Sequence, residues 1–167
     1  KLDYKKITVG LIIFIIGLSK KVIIADTIGL FVDDFYNNFN SIFKPDLILS
    51  WIGSLSYSIQ LYFDFSGYSD MAIGLSLMFG VFLPFNFNAP YKSKSIIEFW
   101  QKWHMSLTKF IGQYLFLPLT LSLTRKYASE NIYKNNLLTL ILPLFITFFI
   151  IGIWHGANWT FAVYGLI

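Results

Sequence analysis

One uncharged run near the end of the chain constrains its fold more than any other feature. Leu137 to Trp154 are eighteen consecutive residues without a charged side chain. A helix needs roughly 20 predominantly apolar residues to cross a bilayer, and Pro143 would at most kink it. His155 follows directly. The run therefore predicts a transmembrane helix that ends at a titratable imidazole.

The composition agrees with a membrane protein. The chain is 56% hydrophobic, 20% aromatic and 13% charged, whereas soluble domains carry about 25% charged residues. The net charge of +4 suits lysines that flank apolar spans and contact anionic lipid headgroups. No basic cluster with stacking aromatics is laid out for nucleic acid. The absence of cysteine excludes disulfides, thiolate zinc sites and a cysteine nucleophile.

Other apolar runs predict further helices. Ile7 to Ser19 lies between two lysine pairs, which can snorkel and lengthen a short span. Val22 to Phe39 indicates a helix near the interface that ends in a polar loop. Leu47 to Phe63 carries serines that suit packing against other membrane helices. We predict an all-α, multi-pass transmembrane helical bundle with amphipathic or re-entrant helices.

The ends of the sequence bear on its domain organisation. The chain begins with Lys1 rather than methionine and ends with Ile167 inside an apolar stretch. We therefore expect residues 1–167 to be part of a single integral-membrane domain, truncated at both ends. No internal repeat or second, soluble domain is recognisable.

Two carboxylates interrupt the apolar pattern between Asp64 and Asp70. Non-helical backbone at membrane depth survives only where it is buried in protein or lines a cavity, so these residues predict either a helix break on a polar path or a loop at the interface. Met71 to Phe82 should resume as a helix that Pro84 ends.

A capping box marks another helix start. Ser95 and Glu98 have the Ser-x-x-Glu spacing in which the two side chains satisfy backbone amides at a helix N-terminus. The helix that follows is too charged to cross the bilayer, and we expect it to lie at the interface or to re-enter. One face should hold the following residues at helical spacing: Trp100, Trp103, His104, Leu107, Thr108 and Ile111.

His104 and His155 are the two histidines of the chain. An unperturbed pKa near ~6.5 lets histidine accept and return a proton at neutral pH, and ionisable groups inside a membrane usually mark a functional site. They could activate a hydroxyl that attacks an acyl carbon. They could also be buried, hydrogen-bonded structural residues, or share a metal with Asp64 or Asp70, although the ligand spacing of a metalloenzyme is absent and we predict no metal.

Four ordered motifs resemble the membrane-bound O-acyltransferase (MBOAT) family. From about Leu61 to the end, the chain is similar to the branch of alginate O-acetylases and peptidoglycan O-acetyltransferases. The motifs are YFDFSGYSDMAIG at 62–74, NFNAPY at 86–91, EFWQKWHMSL at 98–107 and GIWHGANW at 152–159.

The resemblance implies an all-helical, multi-pass fold with a funnel or tunnel through the bacterial inner (plasma) membrane. Members move an acyl group, here acetyl from cytoplasmic acetyl-CoA, towards an acceptor on or beyond the outer face. Acetyl-CoA would be a substrate, and no bound cofactor is expected. The family's catalytic histidine maps onto His155, the expected general base, and its second active-site histidine onto His104, which would orient or polarise the acyl group.

The expected partners follow from the same resemblance. They are membrane lipid, the acyl donor, and a cell-envelope polysaccharide, either an alginate-like exopolysaccharide or peptidoglycan; a periplasmic acetyl-transfer protein is the other possible acceptor. Similar proteins read Arg-Asp-Tyr-Leu-Tyr-Ile-Pro-Leu-Gly-Gly where this chain has GQYLFLPLTL at 112–121. This departure favours the peptidoglycan branch.

Several residues are candidates for the substrate path. Asp64 and Asp70 would line it or hydrogen-bond a helix break. Aromatic belts and helix packing are the alternative explanation for the tryptophans. The remaining candidates are Trp100, Trp103, Trp154, Trp159 and Asn158.

Two non-enzymatic hypotheses remain open. The same intramembrane polar residues could form the proton or solute path of a transporter. The chain could also be a scaffold that docks a separate transferase.

Overall fold

The computed structural model describes residues 3–38, 46–127, 136–156 and 158–165. Regular structure within these ranges is helical, as the sequence predicted. The chain divides into two compact units, residues 1–103 and residues 104–167.

The first unit begins with one long helical run. Helix α1 (Tyr4–Ser19) continues through a π-helical segment (Lys20–Ala25) into α2 (Asp26–Asn38), and Asp3 caps its start by accepting from the amide of Lys5 at 3.2 Å. The helix predicted from Val22 is confirmed as far as Asn38, as a continuation of the first helix through the lysine pair, and its place near the interface stays a prediction. The last predicted residue, Phe39, lies outside the described ranges.

Helix α3 (Leu47–Met78, 32 residues) is continuous through Asp64 and Asp70. Both predictions for this stretch, a helix break and an interfacial loop, were wrong. The physical reason is that Lys21 and Lys20 pair with the two carboxylates, so the backbone has no need to leave the helix to solvate them.

The serines of α3 also differ from expectation. The hydroxyls of Ser50, Ser54 and Ser58 each donate to the carbonyl oxygen four residues earlier on the same helix, at 2.9 Å. They do not bond across to a neighbouring helix. Back-bonding of this kind satisfies a hydroxyl within its own helix in apolar surroundings.

Two glycine pairs bring α1 and α3 together as antiparallel helices. A Cβ atom on Gly10 would lie 2.5 Å from the carbonyl oxygen of Gly74, and one on Gly17 would lie 2.6 Å from that of Gly67. Small residues at such positions allow the close backbone approach on which membrane helix packing depends. The reversed order of the pairs sets the antiparallel register.

Helix α3 ends earlier than the Pro84 signal predicted. Gly80 adopts φ +79°, its amide donates to Leu77, and the amide of Val81 reaches back to Ser76 at 2.9 Å. This is the left-handed glycine termination of a Schellman motif. A short 3₁₀ turn (Pro90–Lys92) and α4 (Ile96–Lys102) complete the first unit.

The second unit contains four helices among its described residues. Helix α5 (Met105–Ile111) leads through a π-helical segment (Gly112–Phe116) into α6 (Leu117–Tyr127). A π-helical start (Leu137–Ile141) leads into α7 (Leu142–His155), and α8 (Trp159–Tyr164) is the last helix of the described chain.

Two helical runs of the described chain have the length and apolar composition to cross a membrane, Tyr4–Asn38 and Leu137–His155. The second is the helix that the uncharged run predicted. Helix α3 is long enough, but it carries more polar side chains and does not meet the same measure.

Candidate active site around His104 and His155

His104 occupies a break between two helices. The helix begins after Ser95 as predicted, with the Ser95 hydroxyl accepting from the Glu98 amide at 3.1 Å, while the Glu98 carboxylate accepts from the amide of Lys94 at 2.7 Å. However, α4 ends at Lys102, and α5 starts only at Met105. The single amphipathic helix expected here was therefore wrong, and the aromatic residues of α4 do not share one helix face with Leu107, Thr108 and Ile111.

A hydrogen bond from outside the helix explains the break. The amide of Asn88 donates to the carbonyl oxygen of Lys102 at 3.1 Å. In a continuous helix that carbonyl would accept from the residue four positions later. Trp103 is extended instead, and His104 turns into the left-handed region at φ +44°, ψ +53°.

The backbone of His104 is therefore strained. A left-handed conformation costs an L-residue roughly 1–2 kcal/mol, and such residues cluster at functional sites. The side chain is half-buried. Strain retained at a residue with acid–base chemistry agrees with a functional role for this imidazole.

His155 is the last residue of α7, and its side chain is exposed. Its imidazole lies between two aromatic rings. The centroid of Trp154 is 5.1 Å away at 65°, and that of Tyr164, on α8, is 6.2 Å away at 89°. Tyr164 could not be selected from the sequence, since no local pattern predicts that α8 folds back to this point.

His104 and His155 influence each other electrostatically within the second unit. Burial lowers the pKa of His104 below its ordinary value, and the positive charge of a protonated His155 lowers this pKa further. A lowered pKa keeps the His104 imidazole neutral at pH 7. His104 and His155, the two residues that the sequence selected for chemistry, thus lie in the same unit and interact electrostatically.

Asp64 and Asp70 lie in the first unit, each against a lysine of the preceding helical run. Asp70 pairs with Lys20 at 2.6 Å, and Asp64 pairs with Lys21, which also lies 3.6 Å from Asp26. These ion pairs join α3 to the first helical run. A role in lining the substrate path stays a prediction for both carboxylates.

The candidate tryptophans have different surroundings. Trp103 stacks on Phe99 at 5.6 Å and meets Phe87 edge-on at 5.1 Å, so it belongs to an aromatic cluster of the first unit. Trp100, Trp154 and Trp159 expose 37%, 64% and 85% of their surface, and their place on an acyl path stays a prediction.

Asn158 precedes α8, and its carbonyl oxygen accepts from the amide of Phe161 at 3.0 Å. Its side chain makes no capping hydrogen bond. Among the residues that the structure describes, no three histidine, cysteine, aspartate or glutamate side chains come close enough together to hold a metal ion.

Known proteins resemble the chain along almost its whole length. The family described as MBOAT, membrane-bound O-acyltransferase family, matches residues 2–167. The peptidoglycan O-acetyltransferase of Helicobacter pylori is 46% identical over 166 residues, which are 99% of this chain and 29% of that protein. The probable alginate O-acetylase AlgI of Azotobacter vinelandii is 43% identical over 152 residues, 91% of this chain and 28% of that protein.

A teichoic acid D-alanyltransferase of Bacillus subtilis is 34% identical over 151 residues, 90% of this chain and 36% of that protein. The chain thus spans well under half the length of these relatives. The family is membrane-bound by description, and two helical runs here have the composition of membrane spans. The predicted resemblance is confirmed: the chain belongs to the membrane-bound O-acyltransferase family.

Proposed function

We propose that the whole protein is an O-acyltransferase of the bacterial inner membrane with several membrane-spanning helices. It transfers an acetyl group from cytoplasmic acetyl-CoA to hydroxyl groups of a cell-envelope polysaccharide. The acceptor is peptidoglycan or an alginate-like exopolysaccharide, reached directly or through a periplasmic acetyl-transfer protein.

The observation that supports this function best is the electrostatic interaction of His104 with His155 within one compact unit. The charge of one imidazole acts on the pKa of the other, although they are far apart in sequence. One is exposed at the end of an apolar helix, and the other is half-buried on a strained backbone. Acyl transfer to a hydroxyl needs a base of this kind and a group that polarises the carbonyl.

In the proposed reaction, His155 accepts the proton of the acceptor hydroxyl as its oxygen attacks the thioester carbonyl. An ester C–O bond forms, the C–S bond breaks, and coenzyme A leaves as a thiolate. The imidazolium of His155 then returns the proton to the thiolate. His104 remains neutral and directs its N–H at the carbonyl oxygen, where negative charge develops.

The choice of acetyl rests on the relatives. Those at 46% and 43% identity are named for O-acetylation, while the relative named for D-alanyl transfer is 34% identical. All three names describe acyl transfer, to peptidoglycan, alginate or teichoic acid, which supports an enzyme over a transporter or a scaffold.

The test measures base-labile acetate on purified envelope polysaccharide from cells that carry the full-length protein or its His155→Ala variant. The two proteins are compared at equal membrane abundance. We expect the acetate to disappear in the variant, and the polymer that loses it identifies the acceptor. The control is Val163→Ala, because Val163 is 52% exposed on α8 and has no part in the proposed chemistry.

Two other results would contradict the proposal. Uptake of labelled acetyl donor without any ester product would indicate a transporter. Unchanged acetate in both His155→Ala and His104→Ala, with assembly intact, would indicate a scaffold for a separate transferase.

A further inference from the structure

The imidazole of His155 contacts an aromatic ring from a second helix. Trp154 is its neighbour in sequence, but Tyr164 belongs to α8 and meets the imidazole nearly at right angles, with the ring centroids 6.2 Å apart. Edge-to-face packing of this kind is a preferred arrangement of aromatic rings. A histidine at a helix end would otherwise be free to change rotamer.

Two glycines fix the register between α7 and α8. A Cβ atom on Gly152 would overlap the carbonyl oxygen of Phe161, and one on Gly165 would lie 2.6 Å from that of Phe148. Both glycines are buried. The two backbones therefore approach closely, which opposes sliding of α8 along α7. This keeps Tyr164 beside His155.

A third glycine shapes the turn beside the imidazole. A Cβ atom on Gly156 would lie 2.5 Å from the ring of Phe161, so this ring fills the space directly after His155. The close approaches of Gly152, Gly156 and Gly165 therefore pack α8 against the end of α7 that carries His155, although α8 has only six residues.

Stability alone does not explain Tyr164. Its side chain is 58% exposed, so it gains little from burial. Its contact is with the one residue of α7 that can transfer a proton. Catalytic groups must be held near the productive geometry, and a displacement of about 1 Å can cost on the order of 100-fold in rate.

We infer that Tyr164 is a positioning residue that holds the imidazole of His155 in the orientation needed to accept the proton of the acyl acceptor. This inference rests on the proposed function of His155. The aromatic ring supplies the contact, and the phenol hydroxyl is dispensable.

The test compares Tyr164→Phe, Tyr164→Leu and the control Val163→Ala in the full-length protein, assayed for acetyl transfer from acetyl-CoA in membranes of equal protein content. Tyr164→Phe keeps the ring and should keep the wild-type kcat. Tyr164→Leu should lower kcat on the order of 10-fold or more, with KM for acetyl-CoA unchanged. Val163→Ala should match the wild type.

Tyr164→Met is a second variant without a ring, in case Tyr164→Leu does not accumulate in membranes. If both ring-less variants fail to accumulate, Tyr164 is structural and the inference is overturned. It is equally overturned if Tyr164→Leu keeps the wild-type kcat, or if it raises KM alone. Failure of the proposed function is a different result, since His155→Ala itself would then remain active.

Discussion

The amide of Asn88 donates to the carbonyl oxygen of Lys102 at 3.1 Å, and this bond ends α4. Two residues later, His104 lies between two helices with a left-handed backbone. If His104 were in the middle of a helix, the direction of its imidazole would follow from its position around the helix axis. At this break, the orientation is set by a strained backbone that only the surrounding structure maintains.

That strain predicts a difference in stability between two variants of His104. Alanine at position 104 keeps the penalty of the left-handed conformation, whereas glycine has no Cβ and adopts φ +44° freely. We expect His104→Gly to be more stable than His104→Ala by about 1 kcal/mol. Thermal unfolding of the full-length protein in detergent measures this. Equal stabilities of the two variants would contradict a left-handed backbone at position 104.

The glycine pairs between α1 and α3 predict a steep cost for added side chains. A Cβ atom on Gly17 would lie 2.6 Å from the carbonyl oxygen of Gly67, while one on Gly112 has no heavy atom within 4 Å. We expect Gly17→Ala to lower the free energy of unfolding by about 2 kcal/mol or more. Gly112→Ala is the matched control and should be neutral or slightly stabilising. Similar unfolding temperatures for the two variants would contradict the close approach of α1 and α3.

The ion pair between Lys20 and Asp70 predicts that replacing one partner lowers the stability of the protein and that replacing both restores most of it. Asp70→Asn leaves the lysine uncompensated within a helical run of membrane-spanning composition. We expect it to destabilise the protein by about 2–3 kcal/mol. This is less than the roughly 3–5 kcal/mol for breaking a fully buried ion pair, because both side chains keep some exposure. The double variant Lys20→Met with Asp70→Leu should recover most of this loss.

The activity of the same variants separates the two roles that the sequence left open for Asp70. A structural role predicts that the double variant also recovers acetyl transfer. Recovered stability without recovered transfer would assign Asp70 to the substrate path. Membrane abundance, unfolding temperature and acetyl transfer need to be measured on the same preparations.

The elements that depend on neighbouring residues could be predicted from the sequence. The helix start after Ser95 and the uncharged helix before His155 are local patterns, and both form. The Gly80 termination was also readable, because a glycine after an apolar helix is a common stop signal. The helix ends just before this glycine, which lies four residues ahead of Pro84.

The elements that depend on distant partners could not be predicted. Helix α3 passes through Asp64 and Asp70 because lysines 43 and 50 residues away pair with them. The helix break before His104 depends on the amide of Asn88, and the setting of His155 depends on Tyr164. The histidine pair could be identified because two imidazoles are conspicuous in a chain this apolar, and because both lie in motifs that resemble the MBOAT family.

The pKa of His104 predicts how acid affects the protein. Burial lowers this pKa, and the electrostatic interaction with His155 lowers it further, so the unfolded chain binds the His104 proton more readily than the folded protein does. The neutral His104 therefore makes its full contribution to the stability of the folded protein above pH ~6.5, the pKa of histidine in the unfolded chain. This contribution is lost as the pH falls through the lower pKa of the folded protein. Removing the charge of His155 with His155→Gln should raise the pKa of His104 and weaken this acid sensitivity. NMR titration of the His104 imidazole, in wild type and in His155→Gln, measures the shift directly. An unchanged titration curve would contradict the electrostatic contact between the two histidines.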